Sequence, residues 1–427
     1  MKGPLSGYRV IDFSRAIAGP FGAMLLADLG AEVIKIESPI GDPSRKVAGP
    51  DHQGELFYYM AFNRNKKGVT LDLGTESGRE AIYDLVKISD VVWDNFRPGV
   101  MKRLGFDYET LKSINPRIIS CSVSGYGATG PYAERPSYDI TALALSGVMS
   151  ITGEPGGRPV RPGPPIIDLA GGMFGALGVV SALTQRERTG EGQKIDVSLL
   201  DSSISLLAYE LSYYFCSGIV PQPLGSGHLA ILPYGVYKCK DDSYIALGPV
   251  WPRLARVIGA DWMVDDPRFK NGRDRVKHRE EFNRTIEEYL AKAPASDWLE
   301  LFNAEDMACA PINNLAEAAI DPQVLHRNMI LNLPHSLGGE IKLAGNPIKM
   351  PAIDESGHTA PPTMGQHNIE VLSGILGYSE EKIKKLQEEE EEHREEMERR
   401  VRKTAIDPAA RRLQEQAARE EEGNQDE

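Results

Sequence analysis

"YRVIDFSRAIAGPFGAMLLADLGAEVIKIES", residues 8–38, decides the class of fold. "YRVIDFS" (8–14) is a short β-branched run, "GPFGAMLLADLGA" (19–31) has helical composition, and "EVIKIES" (32–38) is β-rich again. A strand, a helix and a strand so closely spaced form the repeating unit of a parallel sheet. The alternation continues with a helix at "SGREAIYDLVKIS" (77–89) and strands at "DVVWDNF" (90–96), "RIISCSVSGYG" (117–127) and "GQKIDVSLL" (192–200), the last running into an apolar helix through Tyr214. The chain therefore reads as an α/β protein whose strand-to-helix turns face a ligand crevice. Pro and Gly gather in "GIVPQPLGSGHLAILPYG" (218–235), where a second domain is expected to begin. That domain holds a hairpin pattern at "GVYKCKDDSYIALGPV" (235–250) and charged helices to about residue 320. The expected division is a large domain over 1–220, a small domain over 221–328, a return segment over 329–390, and a charged tail over 391–427 that is helical or disordered.

Composition narrows the function. The 427 residues are 41% hydrophobic and 26% charged, as in ordinary soluble proteins. The N-terminal "MKGPLSGYRVIDFSRA" has no basic stretch leading into a long apolar run, so no signal peptide and a cytoplasmic location are expected. Cys121, Cys216, Cys239 and Cys309 are far apart and read as free thiols, and the eight histidines form no ligand motif, so no metal is expected. The net charge is −13, and residues 380–427 carry 17 acidic against 11 basic side chains. No basic stripe suggests nucleic acid. The first turn, "SRAIAGPFG", lacks GxGxxG, and no GxxxxGK[ST] occurs, which argues against nicotinamide or P-loop chemistry. The tail from Glu380 has poor apolar periodicity and reads as a solvated helix.

One residue stands out. In "PPIIDLAGGMFGALGVVSAL" (164–183), Asp168 is the only charge between Ile166 and Leu183. The run is barely long enough to span a membrane and holds four glycines, so a buried helix to about Arg186 is the better reading. Asp168 stands where the helix begins, and N-capping alone would explain its type. The small residues Gly171, Gly172, Gly175 and Gly178 suggest a close approach by another backbone or a ligand. A carboxylate at a helix end in an apolar pocket is also poorly hydrated yet remains anionic, as a carboxylate nucleophile requires.

Several blocks in order, among them "DNFRPGVMKRLGFDYETLKSINPRIISCSVSGYGATGPY", "PSYDITALALSGVMSITG", "DLAGGMFGALG", "RTGEGQKIDVSLLDS", "PYGVYKCKDDSYIALG" and "PPTMGQHNIEVLSGILGYSEEKI", closely resemble the family III CoA-transferases. The likeness covers about residues 4–390. It implies a large Rossmann-like domain with a parallel sheet, a smaller α+β domain, and ring-shaped subunits interlocked in a homodimer. It implies no permanently bound cofactor, with coenzyme A thioesters and a small organic acid as substrates. It also implies that Asp168 is the catalytic aspartate, attacking an acyl-CoA thioester to form an acyl-aspartyl anhydride and then an enzyme thioester. Ala18, Leu71, Asn95, Phe96, Arg97, Arg103, Arg135 and Tyr138 fall at CoA-contacting positions. Gly225 and Gly227 stand where the family places a glycine loop over the active site, although the loop here has only these two glycines. "NRNKK" (63–67) matches a family block and could either contact ligand or support a turn.

Thioester exchange is nearly thermoneutral and needs a nucleophile, oxyanion donors and exclusion of water rather than a nucleotide or metal. Two rivals stand beside this reading. The similar α-methylacyl-CoA racemases have histidine before the aspartate of the block that here reads Tyr138-Asp139, and without it a two-base proton transfer lacks one base. A non-catalytic CoA-binding protein is the other. The oxalate/formate branch carries His-x-Gln where this chain has Arg15-Ala16-Ile17, which points away from oxalate. Arg15 could pair with the second carboxylate of a dicarboxylate such as succinate, or could form a structural ion pair.

Overall fold

The computed structural model describes residues 2–405, and beyond residue 394 the backbone alone. The chain divides into two compact units, one of residues 1–139, 166–202 and 330 onward, the other of residues 140–165 and 203–329. The second unit therefore takes in residues 140–165 and 203–220, which the sequence reading had assigned to the large domain. Composition gives no sign of that excursion, because the chain leaves and re-enters the first unit within 30 residues.

The first unit is built on β1 (Arg9–Asp12), α1 (Ala18–Asp28), β2 (Glu32–Glu37), α2 (Phe57–Met60), β3 (Lys66–Thr70), α3 (Glu76–Lys87), β4 (Val91–Asp94), α4 (Val100–Leu104) and β5 (Ile119–Ser124). Next come α5 (Asp139–Ser146), whose first residue alone belongs to this unit, then α6 (Ile166–Thr189) and β6 (Lys194–Ser198). The strands form one six-stranded parallel sheet in the order β3-β2-β1-β4-β5-β6. This is a doubly wound, Rossmann-type sheet whose strand order reverses between β1 and β4, and ligands of such sheets bind outside the carboxyl ends of the strands at that point.

The strand of this sheet that the sequence does not announce is β3. Its "KKGVT" looks like polar surface, yet Lys66 is buried and its ammonium meets Asp12 at the end of β1 (2.9 Å), Asn63 (2.9 Å) and the Pro20 carbonyl (2.9 Å). Beside it Lys35 on β2 is buried against Asp42 (2.9 Å) and the Ser14 carbonyl (2.8 Å). Charges so deep persist only when paired and hydrogen-bonded. Arg64 and Asn65 bond Asp28, and Lys67 pairs with Glu32 and Glu370, so the whole "NRNKK" block supports the turn into β3.

Helix α6 lies against α1 at backbone distance. A Cβ at Gly172 would stand 2.5 Å from the Ala18 carbonyl oxygen, and one at Gly22 would stand 2.6 Å from the Gly172 oxygen. A Cβ at Gly175 would fall 2.5 Å from the Trp93 ring, whose Nε1 donates to the Gly19 carbonyl (2.9 Å). The glycines thus serve close packing. By length and composition α6 could cross a membrane, but half of its most apolar window is buried inside the protein.

In the second unit, α7 (Ala208–Ser217) follows a helix that ends at Leu206, so the expected continuous helix through Tyr214 is broken. The hairpin forms as read, with β7 (Gly235–Lys238) antiparallel to β8 (Tyr244–Leu247), and β9 (Cys309–Pro311) adds a third strand. Helices α8 (Arg279–Leu290) and α9 (Ala295–Ala304) cover it, burying Phe282, Ile286, Trp298 and Phe302.

The return segment brings α10 (Glu380–Ala405) back to the first unit. Its start is not solvated as expected. Ile383 and Leu386 are buried with Ala81, Ile82 and Leu85 of α3, and Glu390 accepts a hydrogen bond from the Asp72 N–H (3.0 Å). A stripe this narrow, among so many Glu and Lys, hardly registers as periodicity. The remainder of the predicted tail, residues 406–427, lies outside the described residues.

Candidate active site

Sequence and geometry meet at the carboxyl ends of β1 and β4. After β1, Asp12 Oδ1 accepts from the Ser14 N–H (2.9 Å) and turns the chain. Ala16 is held in the left-handed region at φ 64°, an uncommon conformation for a residue with a Cβ. After β4, Asn95 straps that turn from across the switch point: its Oδ1 accepts from the Arg15 N–H and its Nδ2 donates to the Arg15 carbonyl, both at 2.8 Å. Asp94 accepts from the Phe96 N–H (3.0 Å), and the Phe96 ring lies 5.1 Å from the Arg15 guanidinium. Arg15 forms no ion pair among the described residues, so the structural-pair reading of this arginine has no partner in the structure.

Ala18 opens α1, and through its carbonyl packs on Gly172, one turn beyond Asp168 in α6. Asp168 is therefore carried to the same end of the sheet as the Arg15 turn. It does not cap α6. The helix begins at Ile166, two residues earlier, and the cap comes from Asp139, whose Oδ1 accepts from the N–H groups of Ile167 (2.9 Å) and Asp168 (3.2 Å). Among the described residues no hydrogen bond reaches the Asp168 side chain. Burial, and then the charge of Asp139, push its carboxyl up to about 7. The expectation that the helix end keeps Asp168 anionic is thus corrected: burial and the Asp139 charge outweigh the helix end, two of whose N–H groups are engaged by that other carboxylate.

Tyr58 on α2 was not singled out from the sequence. Burial raises its phenol, and the charges of Asp168, Asp42 and Asp139 raise it further. No motif marks it; only the fold brings it near those charges.

The other expected residues are distributed as follows. Arg97 and Arg103, just beyond β4 with Arg103 on α4, are exposed and form no ion pair among the described residues, leaving two cations near the crevice edge. Arg135 is exposed and stacks on Tyr132 at 3.8 Å, and Tyr138 is 73% exposed. Leu71 is fully buried in the core of the first unit, which leaves it no surface for a ligand in this conformation. Gly225 and Gly227 belong to the second unit. There the Gly225 N–H donates to the Gly153 carbonyl and the Gly227 N–H to the Leu224 carbonyl, both at 2.9 Å, so neither is open to a ligand oxyanion in this conformation.

Taken together, this end of the sheet offers a donor-poor carboxyl, a phenol, a stacked but unpaired arginine and two further arginines suited to phosphates. Such a set can attack an acyl carbon and hold anionic substrates.

Comparison with known proteins gives a consistent result. Residues 5–368 match the family model of CoA-transferase family III. The chain is 35% identical to the human succinyl-CoA:glutarate CoA-transferase, over 90% of this chain and 88% of that protein. It is 38% identical to an acetyl-CoA:oxalate CoA-transferase of Acetobacter aceti, over 83% of this chain and 91% of that protein. A crystal structure of a CAIB/BAIF family protein from Brucella suis superposes with a TM-score of 0.78 at 34% identity, covering 88% of this chain and all of that one.

Proposed function

The chain belongs to CoA-transferase family III, and from that premise we propose that it moves CoA from an acyl-CoA thioester to a free dicarboxylic acid through Asp168. It is an enzyme of CoA transfer between acyl-CoA and carboxylate. The single observation that carries the finer reading is the carboxyl of Asp168, which lies at the same end of the sheet as the Arg15 turn and, among the described residues, has no hydrogen-bond donor of its own.

In this scheme the ionised Asp168 oxygen attacks the thioester carbonyl. The carbon–sulfur bond breaks, CoA leaves as thiolate, and an acyl-aspartyl anhydride forms. The thiolate then attacks the aspartyl carbonyl, releasing the donor acid and leaving CoA as a thioester on Asp168. The incoming carboxylate attacks that thioester, displacing CoA thiolate and forming a second anhydride. CoA attacks the new acyl carbonyl, and Asp168 is regenerated as carboxylate. The Tyr58 phenol is suited to donate to the developing oxyanion or to the substrate carboxylate. Arg97, Arg103 and Arg135 are suited to the phosphates of CoA, with Phe96, Tyr138 and Ala18 along its path, while Asn95 acts on the turn rather than on ligand.

The acid is read as a dicarboxylate because Arg15 is stacked on Phe96 with its guanidinium unpaired, and relatives named for glutarate support the same choice. A homodimer and a cytoplasmic location complete the proposal. The test is to mix the protein with succinyl-CoA and glutarate in deuterated solvent and follow both CoA esters by mass spectrometry. Glutaryl-CoA formed by the wild type, a CoA adduct on the Asp168 peptide, and neither in Asp168→Ala are expected. Deuterium uptake at the α-carbon without transfer would establish the isomerase instead.

A further inference from the structure

We propose that Asp139 is a positioning residue for the nucleophile: it occupies two of the donors that open α6, fixes the backbone of Asp168, and leaves the Asp168 carboxylate bare for attack. The inference rests on the reading of Asp168 as nucleophile.

The first turn of a helix presents backbone N–H groups with no intrahelical partner, and an acidic side chain in that turn is normally stabilised by them and by the helix dipole. Asp168 is the third residue of α6 and stands among those groups. Two of them are nevertheless taken by Asp139, from 28 and 29 residues earlier in the chain, with Oδ1 bonded to the N–H of both Ile167 and Asp168. Asp139 is itself buried, at 9% exposure, where those two N–H groups are its hydrogen-bond donors.

Two effects follow for the nucleophile. Tethering its own N–H fixes the direction in which Asp168 leaves the helix. Placing a second carboxylate against it, while withholding donors, raises the energy of ionised Asp168. That energy is released when an Asp168 oxygen is acylated and the charge departs on the thiolate. Among the described residues, the titratable groups that bear on Asp168 are Asp139 from α5 and Tyr58 from α2, and the Tyr58 phenol also feels Asp42. Arg15, on the neighbouring turn, senses Asp42 and Glu37 instead.

Two variants separate the effects. Asp139→Asn keeps an acceptor for the cap and removes the charge, whereas Asp139→Ala removes both. Each would be followed in kcat/KM against pH for succinyl-CoA and glutarate. The Asp168 carboxyl would also be titrated by 13C NMR of aspartate-labelled protein without substrate, with Asp168→Ala identifying the signal. Asp139→Asn is expected to keep the fold, to move both the acid limb and the NMR titration of Asp168 down by half a pH unit or more, and to lower plateau kcat roughly tenfold. Asp139→Ala is expected to lose on the order of a hundredfold in kcat/KM, with Asn recovering part of it. An unmoved Asp168 titration in Asp139→Asn, or a wild-type pH profile in Asp139→Ala, would overturn the proposal. CoA transfer surviving in Asp168→Ala would instead sink the nucleophile reading, while the NMR titration would still report on Asp139.

Discussion

Asn95 holds Arg15 by both faces of its backbone, accepting from the N–H and donating to the carbonyl at 2.8 Å each, across the point where the strand order of the sheet reverses. The strained turn at Ala16 is therefore fixed by a side chain from another strand, and the Arg15 guanidinium is left to stack on Phe96. Arg15→Ala should raise KM for glutarate or succinate roughly ten- to a hundredfold, the scale of losing a charge-assisted pair, and leave a monocarboxylic acceptor unchanged. Equal effects on both acids in steady-state kinetics would remove Arg15 from acid recognition.

The pH dependence follows from Asp168. Only the ionised carboxylate attacks, and burial with the Asp139 charge pushes this carboxyl up to about 7. The reactive fraction therefore rises with pH and levels off above that value. At a pH one unit below it, kcat/KM should be down about tenfold. A profile flat from pH 5 to 8 would mean that another group attacks.

The same carboxyl should cost stability. A carboxyl whose folded value lies above its unfolded one destabilises the native state once pH exceeds the unfolded value. The penalty grows up to the folded value and is constant beyond it. Asp168→Asn should accordingly stabilise the protein at pH 8 by on the order of 1–3 kcal/mol, a figure reduced for the partial exposure of the group, and give little gain near pH 4. Urea unfolding at the two pH values tests this, and an equal or larger gain at pH 4 counts against it.

Much of the architecture was legible because it is local. The run at 8–38 alternates over a few residues, and the glycines of α6 carry their packing role in their spacing. What escaped depends on partners distant in sequence. The block that holds Lys66 stays open between ligand contact and turn support until Asp12, 54 positions earlier, is placed against Lys66 in the sheet. Asp168 reads as its own cap until Asp139 arrives from another element. Tyr58 had no signal at all, and Leu71, placed on the CoA path by the family resemblance, is fully buried in the core of the first unit.

Gly172→Ala tests the contact between α1 and α6. The added Cβ would meet the Ala18 carbonyl at 2.5 Å, so backbone must shift on one side or the other. A loss of about 1–3 kcal/mol in urea unfolding is expected, together with a fall in kcat because Asp168 lies one turn away. Full activity and stability would show that the helices can separate freely.

Leu386→Ala distinguishes a docked α10 from a solvated one. Leu386 is 2% exposed in the core beneath α3, and its truncation should cost about 2–5 kcal/mol. A solvated helix would lose almost nothing in the same denaturation experiment.

That docking also bears on how the chain is made. The first unit starts its sheet at residue 9, but its core is closed by Val371, Leu372, Ile383 and Leu386, which leave the ribosome only after the whole second unit. The second unit is complete by residue 329. The inserted unit can therefore fold while the unit that surrounds it in sequence still exposes the apolar face of α3, and that face needs protection from aggregation until residues 371–386 arrive to cover it.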